Sequence, residues 1–143
     1  MDARYRLRPP TPADAAPLAR IERAVFTDPW SEASLRDALS SITGFGIVAE
    51  TGDAQPVGYI LCRAVAGEGE VLNLAVDPAH RRRGLARALL EAGLARFRAG
   101  RVGRVYLEVR ESNAAAIALY RSAGFLVQGR RERYYHRPEE AAL

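Results

Sequence analysis

Residues 71 to 87 read VLNLAVDPAHRRRGLAR, and this stretch decides the fold. Val71 to Val76 is an apolar run of strand length with little polar alternation, the pattern of a strand covered on both faces, and Asp77-Pro78 ends it. Downstream, Ala86, Leu89, Leu90, Gly93, Leu94 and Phe97 recur at helical spacing and predict a helix with one continuous apolar stripe. A buried strand therefore feeds a tight basic turn that opens a helix. The first turn of a helix leaves backbone N–H groups without intrahelical partners and carries about half a positive charge. Gly84 permits close backbone approach, while Arg81, Arg82, Arg83 and Arg87 add charge at the same point. Such a turn suits a pyrophosphate, and equally suits a solvated, well-capped helix start.

The order of residues narrows that choice. Arg81-x-x-Gly84-x-Ala86, after a strand ending in Asp-Pro, resembles the acetyl-CoA loop Q/R-x-x-G-x-G/A of the GCN5-related N-acetyltransferase (GNAT) family. The resemblance implies that backbone amides from about Arg82 to Arg87, Leu85 included, hold the CoA pyrophosphate. It also implies that the backbone of Leu74, Ala75 and Val76 pairs with the pantetheine arm and polarises the thioester carbonyl.

At 143 residues the chain has the length of a single domain, and its hydrophobic content of 48% with 27% charged residues is that of a soluble globular protein. All 21 basic residues are arginine, so the protein cannot acetylate lysines of its own. A net charge of +4 favours an anionic partner, either nucleic acid or a phosphate-rich cofactor. The opening Met1-Asp2-Ala3-Arg4 has no signal-peptide character and no apolar run reaches a membrane span, which gives the expectation of a cytoplasmic protein without membrane association. The lone Cys62 excludes an intramolecular disulfide and sits in an apolar strand pattern, where a small core residue is expected. His80 and His136 lack ligand-like spacing, so no metal is expected.

Arg4 to Arg8 alternates and stops at Pro9-Pro10, a first strand. A helix should begin with an Asp14 cap, tolerate Pro17 in its first turn and bury Leu18, Ile21 and Val25. Ser31 can cap a second, short helix, with Trp30 packing on Leu35 as a hydrophobic staple. Gly46 to Thr51 and Val57 to Ala66 read as a hairpin joined by Gly52-Asp53-Ala54-Gln55. After the long helix come a strand over Arg104–Arg110, a helix from about Asn113 to Ala123 stopped by Gly124, and renewed strand character over Phe125–Gly129. The order β-α-α-β-β-β-α-β-α-β gives an α/β fold: a mixed sheet with helices on its faces, in one domain spanning residues 1–143. The resemblance implies the same order.

Side chains alternate along Val105–Arg110, so Tyr106, Glu108 and Arg110 share one face. Glu108 in a strand centre is disfavoured, and a solvent-facing edge position accounts for it as readily as a catalytic one. In the next helix Asn113, Ile117 and Tyr120 form one stripe, where Tyr120 alone is also consistent with a packed aromatic. The longer string LEVRESNAAAIALYRSAGF, residues 107 to 125, is similar to the L-x-V-R-x-S-N-x-x-A-I-x-L-Y-x-x-x-G-F signature of the bacterial RimI group within that family. Phe26-x-x-Pro29-Trp30-Ser31, Asn73 to Pro78 and Arg133-Tyr134-Tyr135 match the same group.

Residue by residue, the resemblance implies Glu108 as general base, Asn113 as a CoA contact and Tyr120 as general acid beside the sulfur. Trp30, Tyr134 and Tyr135 would flank the acceptor groove. The activity implied is acetyl-CoA-dependent acetylation of a protein N-terminus, ribosomal-protein alanine being the acceptor class, without metal or covalent intermediate. A lysine or small-molecule amine is the alternative acceptor. The group normally closes with a further strand after the tyrosine pair; residues 137 to 143 leave room only for a short one.

Two other readings compete. Arginines at 81, 82, 83, 87, 96, 98, 101 and 104 could serve a nucleic-acid binder, but they flank an apolar stripe, are interrupted by Glu91 and lack interleaved aromatics. A CoA-binding scaffold without catalysis would not need both Glu108 and Tyr120. The expected partners are acetyl-CoA and a protein N-terminus, with no nucleic acid, in a monomer or weak homo-oligomer.

Overall fold

The computed structural model describes residues 2–135 and 140–143, the side chains of 131–135, 140 and 141 excepted. The chain divides into two compact units, Met1–Tyr106 and Leu107–Leu143. The first holds β1 (Tyr5–Arg8), α1 (Ala15–Val25), α2 (Glu32–Leu39), β2 (Gly44–Thr51), β3 (Pro56–Val65), β4 (Glu68–Val76), α3 (Leu85–Ala99) and β5 (Arg104–Tyr106). The second holds α4 (Ala114–Ser122), β6 (Arg131–Tyr135) and β7 (Glu140–Ala142).

The five strands of the first unit form one sheet in the order β1-β2-β3-β4-β5. The first three pairings are antiparallel, and β4 with β5 is parallel, the register a helical crossover through α3 permits. Tyr59, Ile60, Leu61 and Cys62 of β3 are all buried, as a strand covered on both faces requires. A core cluster forms where α1 and α2 give Leu18, Ile21 and Leu35 to Val48, Tyr59 and Leu61 of the sheet. Helix α3 adds Leu85, Leu89, Leu90 and Phe97, all buried, while Ala86 and Leu94 are half-buried. Gly93 lets that helix approach β3 closely: a Cβ there would lie 3.1 Å from Ile60 Cδ1, and the Ile60 side chain would have to give by a few tenths of an ångström. Cys62 is buried as expected, and burial pushes its thiol up to about 12.

Strand β4 departs from the expectation of cover on both faces. Leu72, Asn73 and Leu74 are half-buried. The register with β3 slips so that Leu61 faces Asn73 while Cys62 faces Val71, leaving Leu72 as a bulge. Pairing with β5 runs only from Glu68 to Glu70. From Val71 onward, among the described strands, β4 is bonded only on its β3 side.

Three other sequence expectations are corrected. Strand β5 ends at Tyr106 rather than Arg110, because its ladder with β4 ends there; Val109 instead exchanges two backbone hydrogen bonds with Leu143, at 2.9 and 3.2 Å. Phe125–Gly129 is not a strand: Phe125 N–H closes α4 on the Tyr120 carbonyl, and Leu126 and Val127 are 79% and 50% exposed, so burial does not reward their β propensity. The strand comes later, as β6, and pairs antiparallel with the three-residue β7. Third, Asp14 does not cap α1 with its side chain.

Asp14 serves instead in a charge cluster at the β1 edge of the sheet. Its two oxygens take Arg8 N–H groups at 2.8 Å each, and Oδ2 also takes the Thr11 backbone N–H at 2.7 Å. Arg8 reaches on to Glu50 at 2.6 Å, and Arg6 binds the same carboxylate. Asp14 and Glu50 are almost fully covered. The Arg8 hydrogen bonds hold both carboxyls below the usual carboxylate range. Removing Arg8 leaves two covered carboxylates, so Arg8→Ala should cost about 2–3 kcal/mol in urea denaturation, discounted from the deeply buried case because the cluster lies at the sheet edge. Native carboxyls with lowered proton affinity contribute stability that is present above the unfolded carboxylate range and lost as acid protonates them. The gap between wild type and Arg8→Ala should therefore be full near pH 7 and narrow progressively below about pH 5.

Candidate functional site

In the first unit, the candidate residues lie along the open stretch of β4 and the turn that follows. Leu74 is half-buried, and Ala75 and Val76 are buried. Asp77 ends the strand by accepting the Ala79 N–H at 2.9 Å over Pro78, which forms a short 3-10 turn through His80. His80 is tied back to β1: its Nδ1 is 2.7 Å from the Tyr5 hydroxyl, and the rings meet edge-on. The turn is thereby fixed at one end.

At the other end Gly84 is the N-cap of α3 with φ 76°, in the left-handed region, and Arg82 also has a positive φ of 62°. Two left-handed residues around Arg83 fold the chain into a tight concave turn. The glycine cap offers no side-chain oxygen, so the N–H groups of Leu85, Ala86 and Arg87 receive no capping acceptor from it. Arg81, Arg82 and Arg83 are exposed. Arg83 approaches Asp2 only to 3.7 Å, and Arg87 approaches Glu91 to 3.9 Å, weak surface pairs that an anion can replace. The turn thus combines backbone donors, helix polarity and guanidinium groups, which fits a pyrophosphate.

The segment ahead of α2 is also anchored. Ser31 caps α2 by accepting the Ser34 N–H at 3.0 Å, as expected. Trp30 is half-buried and packs against the core cluster that includes Leu35. Its backbone N–H donates to Glu22 at 3.1 Å. Glu22, Tyr59 and Asn73 were not singled out by sequence reasoning. The signal was present: Glu22 falls on the Leu18-Ile21-Val25 stripe, and Asn73 is the one polar residue in Val71–Val76.

In the second unit, Glu108 lies two residues beyond the end of β5, outside the strand centre that alternation suggested. It is exposed, whereas Leu107 and Val109 are half-buried, so the alternation itself persists. Asn113 is the N-cap of α4, accepting the Ala116 N–H at 3.2 Å. Tyr120 is half-buried on α4, its ring edge-on to Phe125 at 5.8 Å. Tyr134 and Tyr135 belong to β6, and their side chains are outside the described part of the chain, as is all of His136.

Comparison with known proteins bears on this arrangement. The model of the acetyltransferase (GNAT) family matches residues 15–125. The N-alpha-acetyltransferase RimI of Mycobacterium tuberculosis is 44% identical over 131 residues, 87% of this chain and 80% of that protein. The ribosomal protein bS18-alanine N-acetyltransferase of Escherichia coli is 37% identical over 115 residues, 80% of this chain and 76% of that protein. The crystal structure of the ribosomal-protein-alanine N-acetyltransferase from Escherichia coli superposes with a TM-score of 0.89 at 32% identity, covering 96% of this chain and 89% of that one.

The two left-handed residues of the basic turn should respond to substitution with opposite signs. Gly84→Ala places a Cβ on a backbone that disfavours it and should cost about 1 kcal/mol, whereas Arg82→Gly relieves a similar strain and should be neutral or stabilising by up to about 1 kcal/mol. Thermal denaturation of the two variants reads both signs.

Proposed function

The chain belongs to the GNAT acetyltransferase family, and from that premise we propose that it transfers acetyl from acetyl-CoA to the α-amino group of a protein N-terminus, ribosomal-protein alanine being the acceptor class. The observation that carries the cosubstrate is the Arg81–Ala86 turn: a glycine N-cap without a side chain, ringed by arginines, at the start of a long helix. The acceptor class is supported by relatives at 37% and 44% identity whose names specify N-terminal acetylation. Residues 1–143 would act as one acetyltransferase domain.

In this reading Arg81, Arg82, Arg83, Gly84, Leu85, Ala86 and Arg87 hold the pyrophosphate. The open edge of β4 at Leu74, Ala75 and Val76 supplies backbone hydrogen bonds to the pantetheine arm and to the thioester oxygen. Asn113 begins the helix that places Tyr120 and contacts the CoA. Trp30, Tyr134 and Tyr135 bound the acceptor groove.

An amine attacks only when neutral. Glu108, which is exposed, takes the proton from the incoming ammonium group through a water molecule. The neutral amine nitrogen then bonds to the acetyl carbon as the carbon–sulfur bond breaks, and the departing thiolate takes the Tyr120 phenol proton. The proton shed by the new amide nitrogen restores that phenol through solvent, and Glu108 releases its proton to solvent.

Incubating the protein with acetyl-CoA and peptides ending in alanine, with lysine peptides and polyamines alongside, should yield a mass increase of one acetyl group on the N-terminal peptides. Acetylation of lysine or polyamine alone would replace this acceptor with the alternative. Glu108→Gln and Tyr120→Phe should each lower kcat by about 10²–10³ while leaving acetyl-CoA affinity within a few-fold, the pattern of groups that act in the transition state. Calorimetry and steady-state rates measure both quantities, and near-wild-type turnover in either variant removes that residue's role.

A further inference from the structure

A buried carboxylate that the reaction does not use joins four elements of the first unit. Glu22 of α1 is fully shielded from solvent. Its Oε1 accepts from the Tyr59 hydroxyl of β3 and from the Asn73 amide of β4, and its Oε2 accepts the Trp30 N–H from the segment between α1 and α2. Asn73 is the residue that follows the Leu72 bulge. Burial raises the proton affinity of this carboxyl, and its three donors only partly offset that.

Docking α1 on the sheet does not require such a group. Leu18 and Ile21 dock the same face with ordinary apolar packing, and exchanging a buried polar cluster for hydrophobic residues is commonly neutral or stabilising. A carboxylate does something that a leucine cannot: it accepts a main-chain N–H from one segment and a side-chain N–H from another, and so sets the distance between them.

We propose that Glu22 is a positioning residue that latches the segment carrying Trp30 to β4 beside its bulge. The latch keeps the acceptor-contacting tryptophan at a constant spacing from the strand whose Leu74–Val76 backbone holds the thioester. The inference rests on the reading that Trp30 contacts the acceptor.

Glu22→Gln is the sharpest probe. The carboxamide keeps one acceptor oxygen for Tyr59 and Asn73 and turns an NH2 group toward the Trp30 N–H, so the latch opens while the shape of the core is kept. The KM for an alanine-ended peptide should rise at least fivefold, with the Kd for acetyl-CoA within twofold of wild type. Tyr59→Phe removes a donor but leaves Trp30 held, and its peptide KM should stay within twofold. An unchanged KM in Glu22→Gln, or equal rises in the two variants, overturns the proposal. Should Glu22→Gln lose acetyl-CoA affinity as well, amide hydrogen exchange in the wild-type protein decides. Trp30 N–H must then be protected to the degree of Ile60 in β3, and exchange as fast as that of Asp28 overturns the latch. A wild-type protein that acetylates no N-terminal peptide would sink the proposed function, while the exchange measurement would still judge the latch by itself.

Discussion

Everything in the first unit depends on β4 being a central strand for part of its length and an open edge for the rest. It is hydrogen bonded on both sides from Glu68 to Glu70 and, among the described strands, only to β3 from Val71 onward. A half-covered backbone edge is costly unless something satisfies its N–H and C=O groups. The protein accepts that cost at the one place where the strand runs into a basic, glycine-capped helix start. The bulge at Leu72 falls at the changeover, where an extra residue bends the strand and re-aims the side chains after it. In the proposed site the groups that this stretch of β4 offers are main-chain N–H and C=O groups.

The turn after β4 obeys the same economy. Gly84 and Arg82 both occupy the left-handed region, and only one of them is a glycine. Keeping an arginine at a strained backbone position costs on the order of 1 kcal/mol, which a charge at that point must justify by what it contacts. His80 and Tyr5 brace the near end of the turn and the buried Leu85 the far end, so the strain is held between two anchors.

Patterns of hydrophobic spacing made most of this architecture legible. The alternation of Arg4–Arg8, the hairpin around Gly52–Gln55 and the stripe of α3 each report burial directly, and burial dominates the energetics of those elements. What spacing could not convey was who would be neighbour to whom. Strand β5 stops at Tyr106 because its ladder with β4 ends there, although β4 itself runs on to Val76, and Leu126 and Val127 remain exposed although their stretch reads as a strand. Asp14 has a helix-cap identity, yet Arg8 claims its carboxylate. Glu22 and Asn73 were visible as lone polar residues in apolar patterns, but a polar residue on a buried stripe announces only that partners exist, never which ones. Glu108 and Tyr120 stood out through the longer motif, since neither alternation nor helical spacing separates a catalytic glutamate from a solvated one.

The exposure of Glu108 constrains the chemistry further. In the proposed reaction the amine must be neutral to attack, so the acceptor's own ease of deprotonation sets how much of it can react. An α-amino group titrates near 8 and a lysine near 10.4, a difference of about 2.4 units that leaves the terminal amine about 200 times more often neutral at physiological pH. In the proposed reaction, where Glu108 works through a water, that factor favours N-terminal amines over lysine. In the proposed reaction a lysine acceptor would demand a more strongly activated base, and Glu108 itself is exposed and lies outside β5. Under the proposed mechanism the acceptor's own readiness to lose a proton acts as the filter, and it favours protein N-termini.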